Sequence, residues 1–84
     1  MSDTAFANLL QRCNQANEIP QHIATILSAA RTNWFTADQA TTLVKAFGDM
    51  NYRIEPARAL AEKLVDRENL YKLQAVLPSG AQLH

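Results

Sequence analysis

Residues 33–47 read NWFTADQATTLVKAF and carry the clearest folding signal in the chain. Thr36 is followed three residues later by Gln39, the spacing of a capping box, in which each side chain bonds the backbone N–H of the other residue. Apolar residues then recur at helical spacing, at Ala40, Leu43, Val44 and Phe47. The pattern predicts a helix that begins directly after Thr36, packs one apolar face inward and ends at Gly48 with a left-handed C-cap.

Two large aromatic residues, Trp34 and Phe35, precede this helix, and consecutive residues of an extended linker point in opposite directions. Phe35 occupies the position from which a hydrophobic staple packs onto the helix, so we expect Phe35 to be buried and Trp34 to be partly exposed. Trp34 then either covers the end of the core, the interpretation we favour, or serves as an interface anchor, a role in which tryptophan is enriched. Met50 and Tyr52 would extend such a surface, and the candidate partner-binding residues are Trp34, Met50 and Tyr52.

Four further segments show helical periodicity, two before this stretch and two after it. Their apolar sets are Phe6, Leu9, Leu10 and Cys13; Ile19, Ile23, Ile26, Leu27 and Ala30; Ile54, Ala57, Leu60, Ala61, Leu64 and Val65; and Leu70, Leu73 and Leu77. Asp66 is the candidate N-cap of the last helix. The patterns predict an all-α protein, a compact bundle of four to five short helices built from antiparallel helical hairpins. We expect one domain over residues 1–84, with the last few residues frayed.

Composition narrows the classes of function. The chain has 84 residues, of which 48% are hydrophobic and 19% charged, as in globular domains. Eight basic residues balance eight acidic ones, so the formal net charge is zero. Because nucleic-acid binding draws much of its affinity from a basic excess, this balance argues against a nucleic-acid partner. A net charge of zero also gives little repulsion between molecules, which mildly favours self-association or a permanent protein partner.

Cys13 is the sole cysteine, so an intramolecular disulfide is impossible. We expect a cytoplasmic protein, although a cysteine-poor periplasmic protein would look similar. The first ten residues, MSDTAFANLL, lack the basic start and apolar run of a signal peptide. No apolar segment approaches the roughly 20 residues that span a bilayer, so we expect no membrane association.

Cys13 and His22 are the only sharp candidates for nucleophile and base, on adjacent predicted helices. Cys13 belongs to an apolar helix face, where cysteine packs as a small hydrophobe, and His22 lies off the isoleucine stripe and is expected to face solvent. His84 is the terminal residue and is expected to be mobile. The two histidines and one cysteine show no metal-ligand spacing. We therefore predict no catalytic, metal-binding or cofactor-binding residues and no enzymatic activity.

Part of this pattern resembles a family of small helical domains of unknown function, DUF 4476, over about residues 19–77. The family pattern is F-[ST]-x-x-Q at a helix start, an apolar helix that ends in phenylalanine, a second helix, and D-x-x-N before another. The matching residues are Phe35, Thr36 and Gln39, then Phe47, and finally Asp66 and Asn69. The segment GDMNYRIEP is longer than the usual turn of the family. The resemblance implies a small helical domain and supplies no activity, cofactor or catalytic residue.

For function, the sequence favours a non-catalytic protein–protein interaction module, an adaptor, inhibitor or regulator that presents a helical surface to a protein partner. Two alternatives stay open: a self-associating structural homodimer, and a nucleic-acid-binding helical domain, which the charge balance disfavours.

Overall fold

The computed structural model describes residues 1–83, and within them the chain forms five α-helices. They are α1 (Asp3–Asn14), α2 (Ile19–Thr32), α3 (Ala37–Lys45), α4 (Ile54–Ala61) and α5 (Leu70–Gln74). Short 3-10 helices, Met50–Arg53 and Arg67–Asn69, lead directly into α4 and α5. The all-α fold predicted from the sequence is confirmed. None of the helices in the described part of the chain is long and apolar enough to cross a membrane.

The start of α3 lies where the sequence predicts it, because the capping box forms. The Gln39 N–H donates to Thr36 Oγ1 at 3.1 Å, and the Thr36 N–H donates to Gln39 Oε1 at 3.0 Å. At the other end α3 stops at Lys45, but Gly48 does not adopt a positive φ. The predicted left-handed cap at Gly48 is therefore wrong.

An arginine side chain binds carbonyl groups just beyond the C-terminal end of α3. Arg53 Nε donates to the carbonyl oxygen of Phe47 at 2.8 Å, and Nη2 lies 3.4 Å from the carbonyl oxygen of Lys45. Arg53 Nη1 donates to the carbonyl oxygen of Val76, beyond the end of α5, at 2.9 Å. One guanidinium thus joins the C-terminal ends of α3 and α5, and its positive charge suits these electronegative ends.

The hydrophobic core is centred on α3, which packs against both α4 and α5. Every apolar residue that the opening stretch places on the inner face of α3 is buried. The buried apolar residues are Leu9, Cys13, Ile26, Ala30, Phe35, Ala37, Ala40, Leu43, Val44, Phe47, Ala57, Leu60, Ala61, Leu64, Leu73 and Leu77. Several are alanines, which lets neighbouring helices approach closely.

A short parallel pairing binds the α2–α3 loop to the α4–α5 loop. The Phe35 N–H donates to the carbonyl oxygen of Lys63 at 2.8 Å, and the Val65 N–H donates to that of Phe35 at 2.9 Å. Because each loop follows its helix directly, α2 and α4 end on the same side of the molecule and run parallel.

Asp66 does not cap its own helix. Its Oδ1 accepts from the N–H of Ala37, the first residue of α3, at 2.8 Å, and its Oδ2 accepts from Asn69 Nδ2 at 3.0 Å. The hydrogen bond from Asn69 is the largest cause that lowers the pKa of Asp66, and the bond from Ala37 acts in the same direction. Asp66 occupies the N-cap position of the 3-10 helix that leads into α5, as predicted, but its side chain forms no capping hydrogen bond there. The carboxylate stabilises the start of α3 instead.

The side chain of Gln74 holds the last described residues. It donates to the carbonyl oxygen of Ala81 and accepts from the N–H of Leu83 at 3.1 Å. Gly80, at φ 93°, turns the chain back toward α5. The chain end that was expected to fray is therefore bound to Gln74 as far as Leu83, and His84 lies outside the described residues.

Candidate functional site

The cysteine considered as a nucleophile is part of the core. Cys13 is only 2% exposed, and burial raises the pKa of its thiol. A nucleophilic cysteine must be accessible to its substrate and deprotonated to the thiolate. Burial of Cys13 opposes both conditions. The expectation that Cys13 packs as a small hydrophobe is confirmed.

His22 is half-buried, so the prediction that it faces solvent is wrong. Its imidazole stacks on the ring of Phe47, with centroids 4.0 Å apart and planes 21° from parallel. Burial lowers the pKa of His22, and Nε2 has no hydrogen-bond partner within the described residues. The reason lies in helix geometry: Ile26 and Ala30, the fully buried residues of α2, follow His22 at four-residue steps. His22 therefore lies in line with the core face of α2.

The other large apolar residues of α2 also face a second direction, although Ile23 packs in part against the core. Ile19, Ile23 and Leu27, also at four-residue steps, line an open groove of about 740 Å³ together with Pro20 and Tyr52. Tyr52 lies in the 3-10 helix that leads into α4, so the groove runs between α2 and the start of α4. Ile19 remains 39% exposed and Tyr52 44% exposed. This surface is concave, and its walls are mainly apolar.

The three residues predicted to bind a partner lie in two places. Tyr52 lines the groove, while Met50, 40% exposed, begins the same 3-10 helix but is not among the residues that line the groove. Trp34 follows the C-terminal end of α2, a helix of 14 residues and therefore about 20 Å long. Because Ile19 begins that helix, Trp34 and the Ile19 end of the groove lie at opposite ends of α2.

Trp34 is 55% exposed, whereas Phe35 is fully buried, so the predicted division between the two aromatics is confirmed. Lys63 Nζ lies 5.1 Å from the centroid of the Trp34 ring, a cation–π contact. The carbonyl oxygen of Trp34 accepts from the Met1 nitrogen at 2.6 Å. The interpretation favoured from the sequence is that Trp34 covers the end of the core. Because more than half of its surface is exposed, Trp34 covers the core less than that interpretation requires.

The charge at the groove is negative. Glu18 and Glu55 line it, and no lysine or arginine does. Glu18 immediately precedes α2 and Glu55 is the second residue of α4. Since α2 and α4 run parallel, both carboxylates lie at the end of the groove where the two helices begin. Neither forms an ion pair within residues 1–83, where the recorded pair is Lys72 with Asp38 at 3.3 Å.

Metal binding has no support from clustering: residues 1–83 contain no group of three histidine, cysteine or acidic side chains that could hold a metal ion. The polar groups of the groove are two carboxylates, a phenol and an amide, and Cys13 and His22 both lie outside it. What this arrangement offers chemically is an apolar contact surface with a negatively charged end.

The groove was not predicted from the sequence, although the sequence contains a signal for it. The second segment carries five apolar residues on a helix that buries only Ile26 and Ala30 completely. A single contact with the core requires only a narrow apolar stripe. A wider stripe on one helix therefore indicates a second apolar surface.

The geometry defines a small all-α helical domain with an open apolar groove. The chain belongs to the family of the domain of unknown function DUF4476, whose model matches residues 1–82. The match confirms the resemblance seen over about residues 19–77 and extends it to α1. No curated protein and no solved structure matches the chain.

Proposed function

We propose that this chain is a non-catalytic protein–protein interaction module, an adaptor, inhibitor or regulator, and that it receives a segment of a partner protein in the groove along α2. The observation that carries the proposal is the apolar row of Ile19, Ile23 and Leu27 facing Tyr52 across an open concavity. Concave, largely apolar surfaces with a few polar groups are the usual form of binding sites.

The groove differs from the other exposed apolar side chains. Val65 and Tyr71 are 62% and 65% exposed, and neither lines the groove. Scattered apolar residues are normal on a protein surface, whereas a contiguous concave set indicates an interaction site. Full burial of an isoleucine or leucine side chain contributes about 1.5–3 kcal/mol. The partly exposed groove residues therefore retain a share of that free energy for a partner to gain.

A cytoplasmic location is part of the proposal. Cys13 is a free, buried thiol, and a reducing compartment keeps such a thiol unmodified. Fractionation of the source cells tests the location directly.

Affinity capture from a lysate of the source cells, treated with nuclease, tests the proposal, with Tyr52→Ala as the groove variant. Tyr71→Ala is the matched control, because it removes a tyrosine ring from a different surface, where the ring is even more exposed (65% against 44%). We expect the wild type and Tyr71→Ala to retain one protein that Tyr52→Ala loses, and calorimetry with that protein purified should repeat the difference. Circular dichroism of each variant establishes that the fold is intact.

Three results would contradict the groove as the docking surface. Loss of the captured protein with Trp34→Ala but not with Tyr52→Ala would move the surface to Trp34. A concentration-dependent dimer by light scattering, broken by Tyr52→Ala, would favour self-association. Recovery of nuclease-sensitive material alone would favour a nucleic-acid partner.

A further inference from the structure

We infer that the groove takes an amphipathic α-helix of a partner protein, with a lysine or arginine at the end that meets Glu18 and Glu55. This inference rests on the proposed function and specifies the chemistry of the partner.

The backbone around the groove favours a helical occupant. The groove is bounded by α2 on one side and by the 3-10 helix and the first turn of α4 on the other. Backbone groups inside these helices are already hydrogen-bonded, so an extended peptide would find no strand edge to pair with. Its own N–H and C=O groups would lose water against apolar side chains without compensation. A helix satisfies its backbone internally and offers only side chains.

The length of the apolar row also suits a helix. Ile19, Ile23 and Leu27 span about 12 Å, roughly two helical turns. A partner helix laid along this row would contact it with residues three and four positions apart, which share one face.

Charge determines what flanks that apolar face. Glu18 and Glu55 contribute two negative charges, and each lies at the start of a helix, whose macrodipole offsets about half a charge. About one negative charge therefore remains uncompensated at this end of the groove. The nearest cation along the chain, Arg53, uses its guanidinium on the carbonyl oxygens of Phe47 and Val76. Arg58, one helical turn after Glu55, forms no ion pair within residues 1–83 and does not line the groove. A cation that meets both carboxylates inside the groove therefore comes from the partner.

The test is selection from a phage library of random peptides of about 14 residues, or four helical turns. Peptides are selected on the wild type and counter-selected on Ile19→Asp, which places a charge in the groove. An acidic residue suits the first turn of a helix, so this variant should remain folded. We expect an enriched pattern of apolar residues at helical spacing with lysine or arginine at one end.

A synthetic peptide of the enriched sequence is then the probe. Its Kd, measured by fluorescence anisotropy, should rise about fivefold to tenfold for the double variant Glu18→Gln, Glu55→Gln. The difference should shrink at high salt, because exposed charge pairs are screened. Glu68→Gln, an exposed glutamate outside the groove, should leave the Kd unchanged.

Each other outcome overturns the inference in a distinguishable way. An apolar pattern without charge preference, or a Kd unaffected by the double variant, overturns the cationic partner and leaves the proposed function standing. An alternating or proline-rich pattern overturns the helical occupant. Failure of any peptide to prefer the wild type over Ile19→Asp overturns the inference and the groove together. A dimer that Ile19→Asp dissociates assigns the groove to a second copy of this chain.

Discussion

Replacing Arg53 by methionine removes a guanidinium that joins two helix ends while keeping most of the apolar stem of the side chain. The variant leaves the carbonyl groups of Phe47 and Val76 without the donors found at 2.8 and 2.9 Å in the native fold. The third contact, to Lys45 at 3.4 Å, is long and exposed, and we assign it no stabilisation.

The magnitude follows from the two short bonds. A hydrogen bond from a charged group contributes about 1.5–3 kcal/mol, and Arg53 is half-buried, so we take about 1–1.5 kcal/mol for each bond. The loss should total about 2–3 kcal/mol, against a stability of about 4–12 kcal/mol for a domain of this size. The melting temperature should fall by about 10–20 °C.

Urea unfolding followed by far-ultraviolet circular dichroism measures this loss. The midpoint should fall with little change in the slope m, because the surface exposed on unfolding is nearly the same. Arg53→Lys should recover about half, since the compact ammonium lacks the planar fork that presents Nε–H and Nη1–H to the two carbonyl groups at once. Arg58→Met, an exposed arginine on α4, is the control and should cost under about 0.5 kcal/mol. A loss below about 0.5 kcal/mol for Arg53→Met would refute the reasoning, and so would full recovery by lysine.

Three further predictions concern capping, pH and thiol access. Thr36→Ala should lower the free energy of unfolding, measured in urea, by about 1 kcal/mol, because it removes the cap of α3. Thr42→Ala, at an exposed position within the same helix, is the control and should lower it little. Equal losses would contradict the capping argument. The lowered pKa of Asp66 means that its stabilisation is present above its unfolded pKa, near 3.8, and is lost as pH falls through the folded value. The stability gap between wild type and Asp66→Asn should thus be larger at pH 7 than at pH 3, and a gap independent of pH would exclude this role. Cys13 should react slowly with a thiol reagent in the native state and rapidly in urea, and rapid native labelling would contradict its burial.

The elements that sequence reasoning predicted correctly are local. The capping box of α3 joins residues three positions apart, and the division between Trp34 and Phe35 follows from the alternation of an extended chain. Both depend on backbone geometry that neighbouring residues set by themselves.

The errors have a common physical cause, which is partners distant in the sequence. Asp66 bonds the Ala37 N–H, 29 positions away, so its carboxylate is not free to cap the following helix. The ends of α3 and α5 are joined by Arg53, which bonds Val76, 23 positions away, and Gly48 adopts no positive φ. The periodicity of α2 identified its apolar residues, but it does not determine which of two adjacent apolar faces packs against the core. His22 was therefore misplaced, and the groove was not foreseen.

The pairing of Phe35 with Leu64 has a consequence for the integrity of the chain. A break at the exposed link between Gly48 and Asp49 would leave one fragment with Phe35 and Ala37 and another with Leu64, Asp66 and Arg53. Each fragment would carry one half of every contact described across the break. We therefore expect the two fragments, mixed in solution, to reassemble into the helical fold without a covalent connection.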